Sequence, residues 1–273
     1  MTEAELAGLS AAARRIRASV LRMSHAAGTA HLGSSLSCVD ILVAAFSTLR
    51  ADPKRPDDPD RDRIILSKGH AVSALYATLA ERGFLPVKEL ETYNQEGGRL
   101  PEQPSPGCVP GVELATGSLG HGLCVGAGMA LAARLQKRTY RVCAVMSDGE
   151  CEEGSVWEAA LFASAQKLDR LVAVIDYNKL QATGRSNEIM ALAPFKAKWQ
   201  AFGWTAHEVD GHDIGAVADL LRGIPDGAGK PVAIVANTVK GKGVSFMEDD
   251  NNWHYLSPSE EHLRKALAEL DLP

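Results

Sequence analysis

The 273-residue chain has no apolar run long enough to cross a bilayer, which argues against an integral membrane protein. It carries no excess of basic charge: 29 Lys and Arg stand against 34 Asp and Glu, a net charge of −5. That balance gives no footing for nucleic acid or for an anionic membrane surface. Cysteine is sparse. Cys38, Cys108, Cys124, Cys143 and Cys151 are odd in number, scattered, and without metal-ligand spacing. They read as reduced thiols in a cytoplasmic protein. The N-terminus begins Thr2-Glu3-Ala4-Glu5 and has no basic region, so a signal peptide is not expected. No internal repeat is visible. Two nucleotide signatures are also missing. Thr116 to Gly122 lacks the glycine spacing and following acid of a dinucleotide fingerprint, and Lys240-Gly241-Lys242-Gly243 lacks the Walker spacing. The two lysines of that turn read as solvated.

What remains is the composition of a globular chain, 45% hydrophobic and 23% charged, long enough to bury a substantial core. The most informative stretch is 140–184. An apolar run at 142–146 ends in Ser147-Asp148-Gly149. A helical pattern follows, in which Val156, Trp157, Ala160, Leu161, Ala163, Ala165 and Leu168 recur at three- and four-residue steps. A second apolar run at 171–175 ends in Asp176-Tyr177-Asn178. Apolar run, helix, apolar run predicts a βαβ unit, with two parallel strands buried on both faces. Both polar tips then lie at the carboxyl edge of the sheet, where open α/β sheets bind ligands.

Asp148 and Asn178 offer hard oxygen donors that suit Mg²⁺ or Ca²⁺ better than zinc or copper. Mg²⁺ held by so few protein oxygens completes its shell with phosphate and water. Gly149 would let a diphosphate oxygen approach the backbone, and the helix that follows would offer free N–H groups to an anion. Either tip alone reads as an ordinary turn after a strand. The pair, separated by 178 − 148 = 30 residues with a strand ending at each, is much harder to obtain by chance.

Along the rest of the chain, Leu6, Leu9, Ala13, Ile16, Val20 and Met23 predict an amphipathic first helix. Arg14, Arg15, Arg17 and Arg22 fall on its solvated face. A small-residue loop, 27–37, leads into a helix near 39–48. Residues 63–67 predict a strand, and Lys68-Gly69-His70 a turn into a helix at 71–82. That turn puts His70 at an anion-binding position. Residues 97–111 form a long proline-rich loop, a length that is usually functional. A Gly- and Ala-rich helix opens after Gly122. Residues 181–193 read as a polar loop, 194–202 as a short helix, 204–209 as a strand and 214–221 as a helix. Residues 231–236 read as a buried strand, and Ser257-Pro258-Ser259-Glu260 as the capping box of the last helix.

Ser147-Asp148-Gly149 with Asn178 thirty residues on resembles the thiamine diphosphate binding motif. Glu153-Gly154, Trp157-Glu158-Ala159 and Gln166-Lys167-Leu168 are similar to transketolases in particular. Ser147 stands where that motif has its first glycine. The resemblance covers essentially the whole chain. It implies an α/β fold, a parallel sheet sandwiched by helices of the thiamine diphosphate-binding (PP-domain) type, as a single domain over 1–273. It implies Mg²⁺ held through Asp148, Asn178 and Leu180, and the cofactor held around His70, Gly117, Leu119, Gly149, Glu150, Asn178 and His254. His31 matches the histidine of a Gly-His-Pro-Gly motif whose Gly and Pro are here Ala30 and Leu32. His31 and His254 are then candidates for proton transfer at substrate hydroxyls. Aligned on Arg99, Pro101 and Pro104, the family's Gly-His-Pro reads Glu102-Gln103-Pro104 here, so Gln103 stands where a histidine contacts the donor sugar.

Transketolases are generally more than twice this length, and the resemblance covers only their first domain, so no pyrimidine-binding domain is expected in this chain. The resemblance therefore implies the N-terminal subunit of a split transketolase. It would be active with a separate C-terminal subunit, in an α2β2 heterotetramer, on a sugar or sugar phosphate. Two other readings stay open: the α chain of a 2-oxo acid dehydrogenase, and a cofactor-binding subunit without catalysis.

Overall fold

The computed structural model describes residues 1–272; Pro273, the last residue of the expected domain, lies outside them. Five strands, β1 (Arg63–Leu66), β2 (Val142–Ser147), β3 (Leu171–Tyr177), β4 (Thr205–Asp210) and β5 (Val232–Asn237), form one sheet in the order β1-β2-β3-β5-β4. Every pairing is parallel. Alternate strand residues enter opposite cores, as the period of two demands. Cys143, Val145, Val172, Val174 and Ile234 face one core. Ala144, Met146, Ala173, Ile175 and Val235 face the other.

The first core is closed by α1 (Glu3–Ala27), α2 (Leu32–Ser37), α3 (Val39–Thr48), α4 (Val72–Glu81), α9 (Ile214–Arg222) and α10 (Glu260–Glu269). The second is closed by α5 (Gly122–Leu135), α6 (Gly154–Ala165) and α8 (Phe195–Ala201). A parallel sheet covered by helices on both faces is the expected α/β class, and every predicted strand is present. No helix among the described residues is long and apolar enough to cross a membrane.

Five local expectations are corrected. The stretch 27–37 is not all loop: Leu32–Ser37 is helical, because Leu32 and Leu36, one turn apart, are both buried. Arg17 is not solvated. It is 6% exposed and bonded to Asp40 of α3 through both Nη atoms, at 3.1 and 2.6 Å. On α6, Leu161 is 59% exposed and Ala165 is exposed, because Ala159, Ala160 and Ala163 make the close contact with the sheet. The loop 181–193 contains a single helical turn, α7 (Ser186–Ile189). The last helix is capped two residues later than Ser257: Ser259 accepts from His262 N and the His262 ring returns to Ser259 N, while Ser257 bonds Ser24 O.

Because all strands are parallel, their carboxyl ends share one edge. From it emerge Ser67 to His70 after β1, Asp148 after β2, Asn178 after β3, Gly211-His212 after β4 and Thr238 to Lys240 after β5. The segment between α1 and α2, carrying His31, and a 3-10 turn at Asn251–His254 meet at the same edge, where His31 N bonds His254 O at 2.8 Å.

Candidate functional site

Asp148 ends β2 and is 1% exposed. Its carboxylate accepts from Gly149 N at 3.0 Å, Lys179 N at 2.9 Å and Ser186 Oγ at 2.7 Å. Among the described residues no Lys, Arg or His makes an ion pair with it. Burial pushes its pKa up to about 6, although these three donors oppose the rise. A buried carboxylate with hydrogen bonds but no cation is a place where a cation is favoured.

Asn178 is oriented from both ends. Its Nδ2 donates to Ser37 Oγ at 3.2 Å, and its Oδ1 accepts from Leu180 N at 3.1 Å, which leaves one lone pair free. Leu180 has an oxygen only in its main-chain carbonyl, and Lys240 Nζ lies 3.4 Å from it. One carboxylate, one carboxamide oxygen and one carbonyl make a hard, all-oxygen donor set that fits Mg²⁺. No three His, Cys, Asp or Glu side chains converge to hold a metal among the described residues. The expected free N–H groups of α6 are not at this tip. A 3-10 turn, Gly149–Glu152, intervenes, and its first amides are engaged, Gly149 N by Asp148 and Glu150 N by Ser147 Oγ at 3.2 Å. A Cβ on Gly149 would come within 3.0 Å of the Gln181 side chain.

Beneath these tips lies a network that no sequence motif marks. Asp176, inside β3, is fully buried. Lys68 Nζ reaches its Oδ2 at 2.5 Å and Ser34 O at 2.8 Å. Ser37 Oγ adds a bond of 2.6 Å to Oδ2, and Thr238 Oγ1 donates to Oδ1. Burial opposes the Lys68 charge, but Asp176 more than offsets it and holds the ammonium protonated. The network ties α2, β1, β3 and β5 together. An aspartate in the otherwise apolar run Leu171–Tyr177 is the available signal, since a buried charge needs a partner.

The structure gathers His31, His70 and His254. Ring centroids are 4.8 Å apart for His31 and His254, 5.2 Å for His31 and His70, and 6.1 Å for His70 and His254. His31 adopts a left-handed φ of 66°, and its Nδ1 is buried without a hydrogen-bond partner. Burial lowers all three pKa values, that of His254 to about 3, and the nearby Lys68 and Lys240 ammonium groups add to the effect. The lowering favours the neutral form of all three imidazoles at pH 7, in which each ring has one donor and one acceptor nitrogen.

Lys240 is fully buried, contrary to the solvated reading, and Lys242 is half-buried. Lys240 Nζ donates to Asn251 Oδ1 at 2.9 Å and to His254 Nδ1 at 3.0 Å. Burial, then the charge of Lys68, brings its pKa down to about 8. A donor on Nδ1 leaves the neutral His254 proton on Nε2.

Gly117, Leu119, Glu150 and Gln103 come to the same edge. Gly117 has φ 145°, a conformation that favours glycine, and the Gln103 side chain of the 97–111 loop lies against it, with Oε1 2.6 Å from where a Cβ would stand. Gln103 is exposed above it. Leu119 O lies 3.0 Å from His121 Nδ1. Glu150 is fully buried and uses its oxygens on protein donors: Ser67 Oγ, Gly120 N at 2.9 Å and Ser147 N at 3.3 Å. Burial raises its pKa.

Residues 9–270 match the family described as transketolase, thiamine diphosphate binding domain. The chain is 41% identical over 245 residues to a 6-deoxy-6-sulfo-D-fructose transketolase subunit of Clostridium sp. (strain MSTE9), covering 89% of each protein. It is 44% identical over 252 residues to an apulose-4-phosphate transketolase subunit of Actinobacillus succinogenes, covering 92% of this chain and 91% of that one. Its fold superposes on transketolase from Campylobacter jejuni with a TM-score of 0.88 at 27% identity, over 100% of this chain and 43% of that chain. The chain thus spans about two fifths of the solved transketolases it matches, and nearly all of the subunits.

Proposed function

This chain belongs to the transketolase family, through its thiamine diphosphate binding domain, and from that premise we propose that it is the N-terminal subunit of a split transketolase. It acts with a separate subunit that carries the pyrimidine-binding domain. The observation that carries this reading is the match to relatives that are themselves transketolase subunits, at 41% and 44% identity with about nine tenths of each chain covered. The reaction is two-carbon ketol transfer from a ketose to an aldose, with sugars or sugar phosphates as substrates. Assembly is α2β2. In support, Val125 and Leu135 on α5, and Leu161 and Phe162 on α6, leave apolar surface open for a partner. Sequence and fold both favour this over the α chain of a 2-oxo acid dehydrogenase, which would have no use for His31, His70 and His254 together.

Asp148, Asn178 and the Leu180 carbonyl would hold Mg²⁺, and the metal would fix the cofactor's diphosphate. His70, Gly117, Leu119, Gly149, Glu150 and His254 surround the space for the cofactor. When bound, thiamine diphosphate supplies a carbon nucleophile and an electron sink for C–C cleavage. This chain's residues bind, orient and move protons. His31, neutral, accepts a proton from a substrate hydroxyl, while His254, its Nδ1 held by Lys240, turns its Nε2–H to the substrate as a hydrogen-bond donor. An anionic cofactor beside them raises their pKa values toward the working range. Gln103, at the mouth, meets the donor sugar with a carboxamide that both donates and accepts but carries no charge.

The test is reconstitution. The isolated homogeneous chain with thiamine diphosphate and Mg²⁺ gives no ketol transfer, and mixing it with the pyrimidine-domain subunit restores turnover. Turnover by the isolated chain overturns the split-enzyme reading. Turnover by neither, with cofactor bound by the pair, would instead favour a binding subunit without catalysis.

A further inference from the structure

The turn Val239–Gly243 delivers Lys240, and both its ends are tied to one carboxylate, that of Asp40 in the first turn of α3. At one end, Val239 N donates to His212 Nε2 at 2.9 Å, and His212 Nδ1 lies 2.8 Å from Asp40 Oδ2. At the other end, Lys242 O accepts from Arg17 Nε at 2.9 Å, and the same guanidinium grips Asp40 with both Nη atoms. A main-chain amide can only donate, so His212 Nε2 is an acceptor. The ring proton is therefore on Nδ1 and points at Asp40. The tautomer follows from the geometry. Arg17 and Asp40 side chains are each 7% exposed, and that of His212 is 14% exposed. Despite burial, the bond from His212 and the charge of Arg17 hold the Asp40 carboxyl below its usual range.

We propose that His212 is a positioning residue: with Asp40 and Arg17 it clasps the 239–243 turn so that Lys240 reaches His254. Of the residues involved, only Lys240 and His254 border the cofactor space. His212 acts through one peptide unit and one ammonium group. The Asp210-Gly211-His212-Asp213 turn at the tip of β4, otherwise without a role in the site, acquires one: His212 N bonds Asp210 Oδ1 at 2.9 Å, which sets the ring's approach to Val239. This inference rests on reading the carboxyl edge as the cofactor site, but its structural half does not. The state of His254 Nδ1 can be read in the isolated chain.

Two substitutions divide the ring's two contacts. Asn can keep a donor toward Asp40 but has no acceptor at the reach of Nε2. Gln can place an acceptor there. In ¹⁵N spectra of the isolated chain, wild-type His254 shows an unprotonated Nδ1. In His212→Asn that signal shifts as Lys240 loses its place, and in His212→Gln it returns toward wild type. In the reconstituted pair, kcat at saturating cofactor falls about tenfold in His212→Asn and recovers in His212→Gln, with the urea midpoint little changed. Lys240→Met gives a similar fall, and the double variant falls no further, since both changes break one chain of contacts. An unchanged His254 signal with wild-type kcat in His212→Asn overturns the proposal. So do losses that multiply in the double variant, or a loss confined to the urea midpoint. If the wild-type pair itself fails to bind Mg²⁺ and thiamine diphosphate, the reading of the site fails instead, while the ¹⁵N result still decides the clasp.

Discussion

Asp62 and Asp148 are each 1% exposed and stand at opposite edges of the same sheet, one just before β1 and the other just after β2. Asp62 is saturated with positive charge. It accepts from Arg141 N, Nε and Nη2 at 2.7, 3.0 and 2.7 Å, and from Arg50 N and Nη2 at 2.8 and 3.2 Å. Burial works against its charge, yet the Arg141 and Arg50 bonds lower its pKa. Asp148, equally buried, has three neutral donors and a pKa raised to about 6. Residue type and solvent exposure are the same, and the partners differ. One carboxylate completes the fold; the other, among the described residues, holds a negative charge with no ion-pair partner in contact. That contrast separates a structural site from one arranged for a cation.

The largest expected effect is at the structural edge. Asp62→Ala leaves Arg141 half-buried without its partner and costs roughly 3–5 kcal/mol of stability, read from urea unfolding. Cofactor affinity of the folded fraction does not change. A variant of wild-type stability would remove the contrast at its base. Next, Asp148→Ala and Asn178→Ala each weaken binding of Mg²⁺ with thiamine diphosphate to the assembled pair by about a hundredfold, near 3 kcal/mol. The pair stays folded, and excess Mg²⁺ relieves part of the loss. Calorimetry giving wild-type affinity in both variants would place the metal elsewhere. The smallest effect concerns the substrate side. A hydrogen bond to a charged group is worth roughly 1.5–3 kcal/mol, against about 1 for a neutral one. With the new imidazole protonated when the donor binds, Gln103→His raises kcat/KM for an ordinary ketose phosphate donor by about tenfold and leaves cofactor affinity alone. An improvement seen only for the acceptor would move Gln103 away from the donor.

Acid separates the two carboxylates further. Asp62 has a lowered folded pKa. Its contribution is present above the unfolded value, roughly 4, and is lost as pH falls through the folded value. Asp148 has a raised folded pKa, so the sign reverses. The empty chain has its full stability with respect to this group below the unfolded value and loses it as pH rises through about 6.

Much of this arrangement is legible in the chain. The runs at 142–146 and 171–175 fix two adjacent parallel strands, and parallel strands bring Asp148 and Asn178 to one edge without further information. His31, His70 and His254 are visible there only as single residues in loops. Their gathering depends on packing between α2, the β1 tip and the 251–254 turn, which no local pattern encodes. For charged residues the expectations err in one direction. Arg17 and Lys240 read as solvated because composition assigns a prior of exposure to such side chains. Each is buried against a partner more than ten residues away: Arg17 on Asp40, Lys240 on Asn251 and His254. Long-range pairing of buried charge is the part of this site that hydrophobic periodicity does not carry.

The most direct test of the site is Asp148→Asn in the otherwise wild-type chain, its urea unfolding followed from pH 4 to pH 8 with and without Mg²⁺ and thiamine diphosphate. If the carboxylate is held for a cation, the empty variant is more stable than wild type by about 3 kcal/mol above pH 6. The advantage vanishes toward pH 4, and the stabilisation that Mg²⁺ and cofactor give the wild-type chain or its assembled pair is lost. An Asp148→Asn variant that is destabilised as Asp62→Asn would be, and that keeps its stabilisation by Mg²⁺ and cofactor, would contradict the account.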